Sequence, residues 1–315
     1  MIFAGATPAP IQYCPLSGSR TLLQKALGRA LSVAPAANVM VTAMRGFRSH
    51  WEPSLWFVRA ENRFVGDGRP SSPLATAAAL LSIARRAPSD VVTLLPARCF
   101  VAHEEVLQDG LERAVAMLPR LSQGVVTLGM VDMDEGVDES YLVVGRSGGG
   151  PGLATHGYAR HPLPWVARYL RQQGALVASG IMTGYAGVFG AHLSRHWPDL
   201  AQQLADVVSS REERGGETVI PANLCAKTPK TTLRALQWRP PSLSQRTLPV
   251  RGCGWSGLNS ARAVARVMEF ALPDHGRHSS SVDADFVSED YQSDVVPVSP
   301  TDWACAIDAR DDYLR

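Results

Sequence analysis

The stretch from residue 91 to residue 101 places the strongest constraint on the fold. It begins with the apolar, mostly β-branched run VVTLL at 91–95, which Pro96 interrupts. Runs of this kind are typical of a strand that is covered on both faces of a sheet. Because ligands of open α/β sheets bind beyond the carboxyl ends of the strands, residues 97–99 are expected at a site. The central residue of that turn is a cation, Arg98.

Segments with strand and helix patterns alternate along most of the chain. Strands are predicted at 2–5, 38–42, 56–58, 91–95, 124–130 and 141–144. Helices are predicted at 20–31, with Ser19 as the N-cap, and at 74–86, 104–117, 164–173, 192–208 and 261–271. This alternation predicts an α/β domain whose mostly parallel sheet is flanked by helices. We assign this domain to residues 1–270.

The charge is distributed unevenly. The net charge is +2 over 315 residues, but residues 271–315 hold ten acidic and three basic side chains, a net charge of −7, which leaves +9 for residues 1–270. An acidic C-terminal tail on a basic body either docks on that body or a partner, or stays solvated and partly disordered. Because the basic residues of the body are scattered rather than clustered, a nucleic-acid partner is not expected.

Other bulk features indicate a protein with a sizeable core and no membrane segment. Hydrophobic residues make up 45% and charged residues 19% of the chain, as in ordinary globular domains. No apolar run reaches the roughly 20 residues that span a bilayer. The first residues lack the features of a signal peptide, so a cytoplasmic location is expected. The five cysteines show no C-x-x-C spacing, which argues against disulfide frameworks and zinc sites.

Several short segments, taken in order, carry a family resemblance. They are Pro10-Ile11-Gln12-Tyr13, Gly68-Arg69-Pro70-Ser71-Ser72-Pro73, Leu95-Pro96-Ala97-Arg98-Cys99-Phe100, the strand 125–129, Tyr158-Ala159-Arg160-His161-Pro162, and Gly254-Trp255-Ser256-Gly257-Leu258-Asn259-Ser260. Their order and spacing resemble the mannose-1-phosphate guanylyltransferase family of sugar nucleotidyltransferases. The resemblance covers roughly residues 1–270 and implies a Rossmann-like, GT-A-like nucleotidyltransferase fold. The family's reaction joins a sugar phosphate to a nucleotide and requires Mg²⁺ held by carboxylates.

The sequence departs from that family at the positions that carry its chemistry. The glycine-rich phosphate loop has no counterpart between Gly5 and Pro10. At the positions that the resemblance matches to the family's functional residues, this chain has other residue types. In the family these positions hold a lysine, two metal-binding aspartates, a Glu-Lys pair, an asparagine, the Tyr-Gly of the sugar-binding turn and a further acid. The replacements are Ile11 (beside Gln12), Arg98 (beside Cys99), Gly257, Arg160 with His161, Ala178, Glu139 with Ser140, and Lys227.

These departures predict that nucleotidyl transfer is lost. A cation at residue 98 repels a metal ion, and the two aspartate positions supply no carboxylate. We therefore expect no catalytic residue of the family type, no metal site and no cofactor.

Two functions remain open at this point. The first is a pseudoenzyme that binds a protein or peptide partner, with a homodimer as one form of association. The second is an enzyme or binding protein that uses a cationic cleft for a nucleotide, sugar phosphate or other anion. The residues of such a cleft would be Arg69, Arg98, Arg160, His161 and Lys227.

Three local alternatives bear on these functions. Arg98 could pair with Glu104 or Glu105 rather than bind a ligand. Cys99 and His103 could form a nucleophile pair, although their spacing supports this weakly and buried, inert cysteines are the simpler interpretation. Trp51, Trp56 and Trp197 are expected either in the core or as exposed anchors for a partner.

Overall fold

The fold is described from a computed structural model of the 315-residue chain. The described residues are 2–4, 7–67, 72–121, 124–131, 139–145, 150–214, 216–229 and 244–271. The strands are β1 (Ile2–Ala4), β2 (Thr7–Ala9), β3 (Val41–Met44), β4 (Arg63–Gly66), β5 (Val91–Leu94), β6 (Gly124–Met130), β7 (Tyr141–Gly145), β8 (Leu153–Ala159), β9 (Leu176–Tyr185), β10 (Thr218–Ile220) and β11 (Ser244–Val250).

Nine α-helices fall within the described residues. They are α1 (Leu22–Val33), α2 (Arg48–Trp51), α3 (Ser72–Arg86), α4 (Glu104–Met117), α5 (Pro164–Gln172), α6 (Ala186–His196), α7 (Pro198–Arg214), α8 (Ala222–Lys227) and α9 (Ala261–Ala271). Helix α1 begins at a capping box in which Thr21, not Ser19, is the N-cap and exchanges hydrogen bonds with Gln24. The segment expected as one helix at 192–208 is two helices, because Pro198 starts a new helix.

The strands form two larger sheets and a small hairpin. A three-stranded parallel sheet has the order β10-β4-β3, and a six-stranded sheet has the order β5-β9-β6-β11-β8-β7. The α/β class is confirmed. The expected parallel pairing holds in the three-stranded sheet, whereas β11–β6 is the one parallel pairing described in the six-stranded sheet. There β9 runs antiparallel between β5 and β6, so β5, β6 and β11 share one direction.

Hydrophobic clusters cover both faces of the sheets. One cluster joins the six-stranded sheet to α4 and α5, and another joins β4 and β6 to α3, α6 and α7. A third packs α1 against β3 and β4, and a fourth packs α9 against Ile11 and Phe100. Helices therefore flank the sheets, as expected for this class.

Two strand predictions are wrong. Strand β5 is an edge strand of its sheet, with Val91 exposed and the other three residues half-buried, rather than a strand covered on both faces. Residues 56–58 form a turn and not a strand, because Arg63 donates hydrogen bonds to the carbonyls of Leu55 and Val58 and holds the turn closed. Trp56 in this turn is 84% exposed, whereas Trp51 is fully buried.

Within the described residues, no helix combines the length and apolar character needed to cross a bilayer. Of the expected acidic tail at 271–315, Ala271 is the last residue of α9 and residues 272–315 lie outside the described residues, as do residues 68–71 of the expected loop and the residues Gly5-Ala6.

Candidate functional site

The candidate site, at the position where the resemblance places the family's cleft, lies at the carboxyl edge of the parallel strands of the six-stranded sheet. The segment after β5 and the segment after β11 pair directly, since Phe100 and Ser256 exchange two backbone hydrogen bonds of 2.9 Å. This pairing places residue 98 beside residues 257 and 258. The two positions at which the family resemblance puts metal-binding aspartates are therefore adjacent in this fold.

Arg98 is bound to the loop that follows β11. Its Nη2 donates a 2.9 Å hydrogen bond to the carbonyl oxygen of Leu258, and its side chain is half-buried. Leu258 has a φ of 52°, a left-handed conformation that is uncommon for a residue other than glycine. Such strain is concentrated at functional sites in proteins. Arg98 thus fastens a strained loop at the point where the family would hold its metal.

A carboxylate reaches the same loop from residue 139. Glu139 is 4% exposed, and its Oε2 accepts a 2.8 Å hydrogen bond from Nδ2 of Asn259. A β-carbon at Gly257 would lie 2.9 Å from that oxygen, so glycine leaves the space that Glu139 fills. We call Arg98, Glu139, Gly257, Leu258 and Asn259 the cleft cluster.

Sequence reasoning missed the carboxylate of the cleft cluster. Residues 98 and 257 themselves supply no carboxylate, but Glu139 brings one to the loop beside them. The acid at 139 and the glycine at 257 are complementary departures from the family pattern. Only the joint occurrence of an acid at 139 and a glycine at 257 could have indicated that the Glu139 carboxylate occupies the space beside residue 257.

Magnesium does not fit the cleft cluster. Mg²⁺ requires several oxygen ligands in octahedral geometry, whereas this cluster combines one carboxylate and one carboxamide with a guanidinium that is bonded to the same loop. Within the described residues, no group of three His, Cys, Asp or Glu side chains could hold a metal ion.

The next part of the cleft is organised by Ser140. Its carbonyl oxygen accepts a 2.8 Å hydrogen bond from the backbone N–H of Ala178, and its Oγ accepts one of 3.4 Å from the backbone N–H of His161. His161 has a φ of 38°, so it is a second strained residue. Arg160 is exposed beside it. Ser140 therefore contacts the backbone of both His161 and Ala178.

The N-terminal residues of the resemblance approach the same region. Ile11 is buried in the cluster that contains Phe100 and Leu258, so it supports the loop from below. Gln12 is half-buried beside Tyr13, and burial raises the pKa of Tyr13 while a hydrogen bond with Gln12 opposes that rise. At the position of the family's lysine, this chain therefore has a buried core residue, Ile11.

Arg69 and Lys227 are the other two expected anion-binding residues. Arg69 lies outside the described residues. Lys227 is an exposed residue at the end of α8, which follows β10 of the other sheet.

A second polar cluster lies next to Arg98 and includes the Cys99 thiol. Arg29 on α1 donates Nε and Nη2 to the two carboxylate oxygens of Glu104 at 2.7 and 2.8 Å, and Nη1 to Cys99 Sγ at 3.3 Å. We call Arg29, Cys99 and Glu104 the helix-pair cluster, because it joins α1 to α4. The alternative in which Arg98 pairs with Glu104 is therefore wrong: Glu104 is bound by Arg29.

The environment of Cys99 favours an inert thiol. Cys99 is 1% exposed and donates its S–H to the carbonyl oxygen of Pro96 at 3.3 Å. Burial raises the pKa of the Cys99 thiol, and Arg29 opposes that rise. His103 is exposed and lies 3.6 Å from Glu105, so it does not form a nucleophile pair with Cys99.

Comparisons with known proteins agree on the fold. No protein-family model and no curated protein matches the chain. Among solved structures, a mannose-1-phosphate geranyltransferase from Thermus thermophilus superimposes with a TM-score of 0.63 at 18% identity, over 82% of this chain and 71% of that one. A mannose-6-phosphate isomerase from Helicobacter pylori gives 0.60 at 15% identity, over 78% and 94%. The chain therefore has a nucleotidyltransferase-like, Rossmann-like α/β fold.

Proposed function

We propose that this protein is a pseudoenzyme of the sugar nucleotidyltransferase type that acts as a protein- or peptide-binding accessory or regulatory subunit. The observation that carries the proposal is the hydrogen bond from Arg98 to the carbonyl oxygen of Leu258. A guanidinium in this place repels a metal ion by about 4 kcal/mol per unit charge at 4 Å. Loss of the acids, the lysines and the phosphate loop at one cleft is the pattern expected of a fold that no longer transfers nucleotides.

A protein partner is supported by the surface beside the cleft. Helix α5 starts three residues after His161, and its Trp165 and Tyr169 are 52% and 50% exposed, one helical turn apart. Exposed aromatic side chains of this kind are enriched among the residues that dominate binding energy at protein interfaces. The partner class we propose is an active sugar nucleotidyltransferase or another biosynthetic enzyme of the same cell, with a homodimer as the self-associated form.

Calorimetry tests the loss of nucleotide chemistry. GTP, ATP and mannose 1-phosphate are titrated into the protein with and without Mg²⁺. We expect no Mg²⁺-dependent heat with any nucleotide. Tight nucleotide binding that requires Mg²⁺ overturns the proposal.

Sedimentation velocity tests the partner surface. The protein is mixed with an active sugar nucleotidyltransferase from the same organism, and the pair Trp165→Ala/Tyr169→Ala is compared with Trp56→Ala, which removes an exposed indole elsewhere. We expect a complex that the double substitution weakens at least tenfold and the control does not. Complexes of equal stability in both variants contradict this surface.

A second candidate function is anion binding in the cleft. The observation that favours it is the exposed Arg160 next to the strained His161 at the cleft rim. In that case Arg98, Arg160 and His161, with Arg69 and Lys227 as further cations, would bind a sugar phosphate or nucleotide without a metal ion. The same calorimetry would then show metal-independent binding that Arg160→Glu abolishes.

A further inference from the structure

A groove on the side of α1 lies outside the cleft cluster and has the chemistry of an anion- and aromatic-binding surface. It has a volume of about 640 Å³, and helices α1 and α4 and the last turn of α9 line it. Its two open cations are Arg20 and Lys25, since Arg29 is already held by Glu104. Within the described residues, neither Arg20 nor Lys25 takes part in an ion pair.

The floor of the groove is aromatic. Lys25 Nζ lies 5.3 Å from the centre of the Phe100 ring, and Phe270 packs edge-on against the same ring at 6.3 Å. Phe270 is 68% exposed. At Gly28 on α1, nothing lies within 4 Å of where a β-carbon would be, so the glycine opens the helix face to the groove.

The chain itself supplies a segment that matches this groove. Residues 283–294 read DADFVSEDYQSD, which contains five acidic and no basic residues together with Phe286 and Tyr291. Phe270 lines the groove and is followed after Ala271 by the acidic C-terminal residues. The eleven residues between 271 and 283 span up to about 40 Å when extended, so the groove is within reach.

We propose that residues 283–294, the acidic segment, bind intramolecularly in the groove between α1 and α4. Carboxylates of the segment contact Arg20 and Lys25, and its aromatic side chains pack on Phe100 and Phe270. Partial burial lowers the pKa of Lys25 and Glu104 opposes this, so a further carboxylate beside Lys25 favours its charged form. This proposal concerns a different surface from the cleft and does not depend on the proposed function.

The arrangement of cysteines allows a direct test in the full-length protein. Cys14, Cys99, Cys225 and Cys253 are buried and protected from reagents. A nitroxide is attached at Ser288→Cys in a Cys305→Ser background, and paramagnetic broadening of backbone amides is recorded. We expect broadening at residues 25–32 of α1 and 104–111 of α4, with loss of most of it in 1 M salt, where the Debye length is about 3 Å.

Two groove variants and one control decide the result. Arg20→Glu/Lys25→Glu reverses the open charges, and Gly28→Gln fills the groove without changing charge. Both are expected to reduce the broadening at least fivefold, whereas Arg168→Glu/Arg251→Glu, the same charge change at exposed sites elsewhere, leaves it unchanged. Melting curves of all variants confirm folding.

Three outcomes overturn the proposal. They are broadening confined to other surfaces, no broadening at all, and broadening of the groove residues that persists when isotope-labelled protein is mixed with separately spin-labelled protein, which would indicate a second copy as the source.

Discussion

Residues 98 and 99 are neighbours in the chain, yet they belong to two polar clusters that are built differently. In the helix-pair cluster, the Arg29 side chain is 5% exposed and binds both oxygens of one carboxylate. In the cleft cluster, Arg98 binds a backbone carbonyl and Glu139 binds a carboxamide, and both partners lie on the strained loop after β11. The first arrangement joins two helices, and the second fixes a loop. A charged side chain close to the positions of the family's catalytic residues can therefore either join two helices or hold a loop in place.

Removing Arg29 should have the largest effect. Arg29→Ala leaves Glu104 and the Cys99 sulfur without their donor, and we expect the free energy of unfolding to fall by about 3 kcal/mol. The Glu104 side chain is 44% exposed, so rehydration keeps the loss at the lower end of the range for buried pairs. Urea unfolding measures it. Arg113→Ala, which breaks an exposed pair with Asp109, is the control and should cost less than about 0.5 kcal/mol.

Placing the family's aspartate at residue 257 should have the second-largest effect on the free energy of unfolding. Gly257→Asp would place a β-carbon 2.8 Å from Asn259 Nδ2 and a second carboxylate beside Glu139, and we expect a loss of about 2 kcal/mol. The combination with Glu139→Ala should recover about 1 kcal/mol of this in a double-mutant cycle. Glu139→Gln as the second change separates charge repulsion from crowding. Strict additivity would show that residues 139 and 257 do not share one space.

Removing the Arg98 hydrogen bond should have a smaller effect. Arg98→Met is expected to lower the free energy of unfolding by about 1.5 kcal/mol. It should also increase hydrogen exchange at residues 256–260, because the loop loses its tie to the segment after β5. Arg98→Lys retains a donor and should restore part of the protection. Unchanged exchange at this loop in Arg98→Met would show that the two clusters do not differ as described.

Charge reversal at the rim should have the smallest effect on stability. Arg160→Glu changes an exposed side chain and should alter the free energy of unfolding by less than about 0.5 kcal/mol. The informative measurement is calorimetry with a sugar phosphate. An affinity unchanged from the native protein agrees with the pseudoenzyme proposal. A loss of affinity of at least tenfold favours the anion-binding function.

The sequence predicted the elements whose pattern is set locally. Helix α4 and strand β6 have the expected bounds, because α4 has apolar residues at helical spacing and β6 is a short, mostly apolar, β-branched run that begins at a glycine. The error at residues 56–58 has a physical reason: the apolar triplet resembles a strand, but Arg63 closes it into a turn through bonds to backbone carbonyls. Strand propensities do not account for hydrogen bonds from a side chain to backbone carbonyls several residues away.

The site was predictable in position and only partly in composition. The resemblance placed residues 98 and 257 together, and the pairing of Phe100 with Ser256 agrees with this. The role of Glu139 was missed because it depends on a contact with Asn259, 120 residues away in sequence. Likewise, the partner of Glu104 is Arg29, 75 residues earlier. Long-range polar contacts of this type follow from tertiary packing rather than from local pattern.

The edge position of β5 has a consequence for handling the protein at high concentration. Among the described strands, only β9 pairs with β5, so one row of its main-chain N–H and C=O groups has no strand beside it. Such a row can recruit a strand from another molecule and start aggregation. The strand is only four residues long and bears an exposed valine at its start. Val91→Lys is therefore a substitution that would improve solubility without disturbing the core.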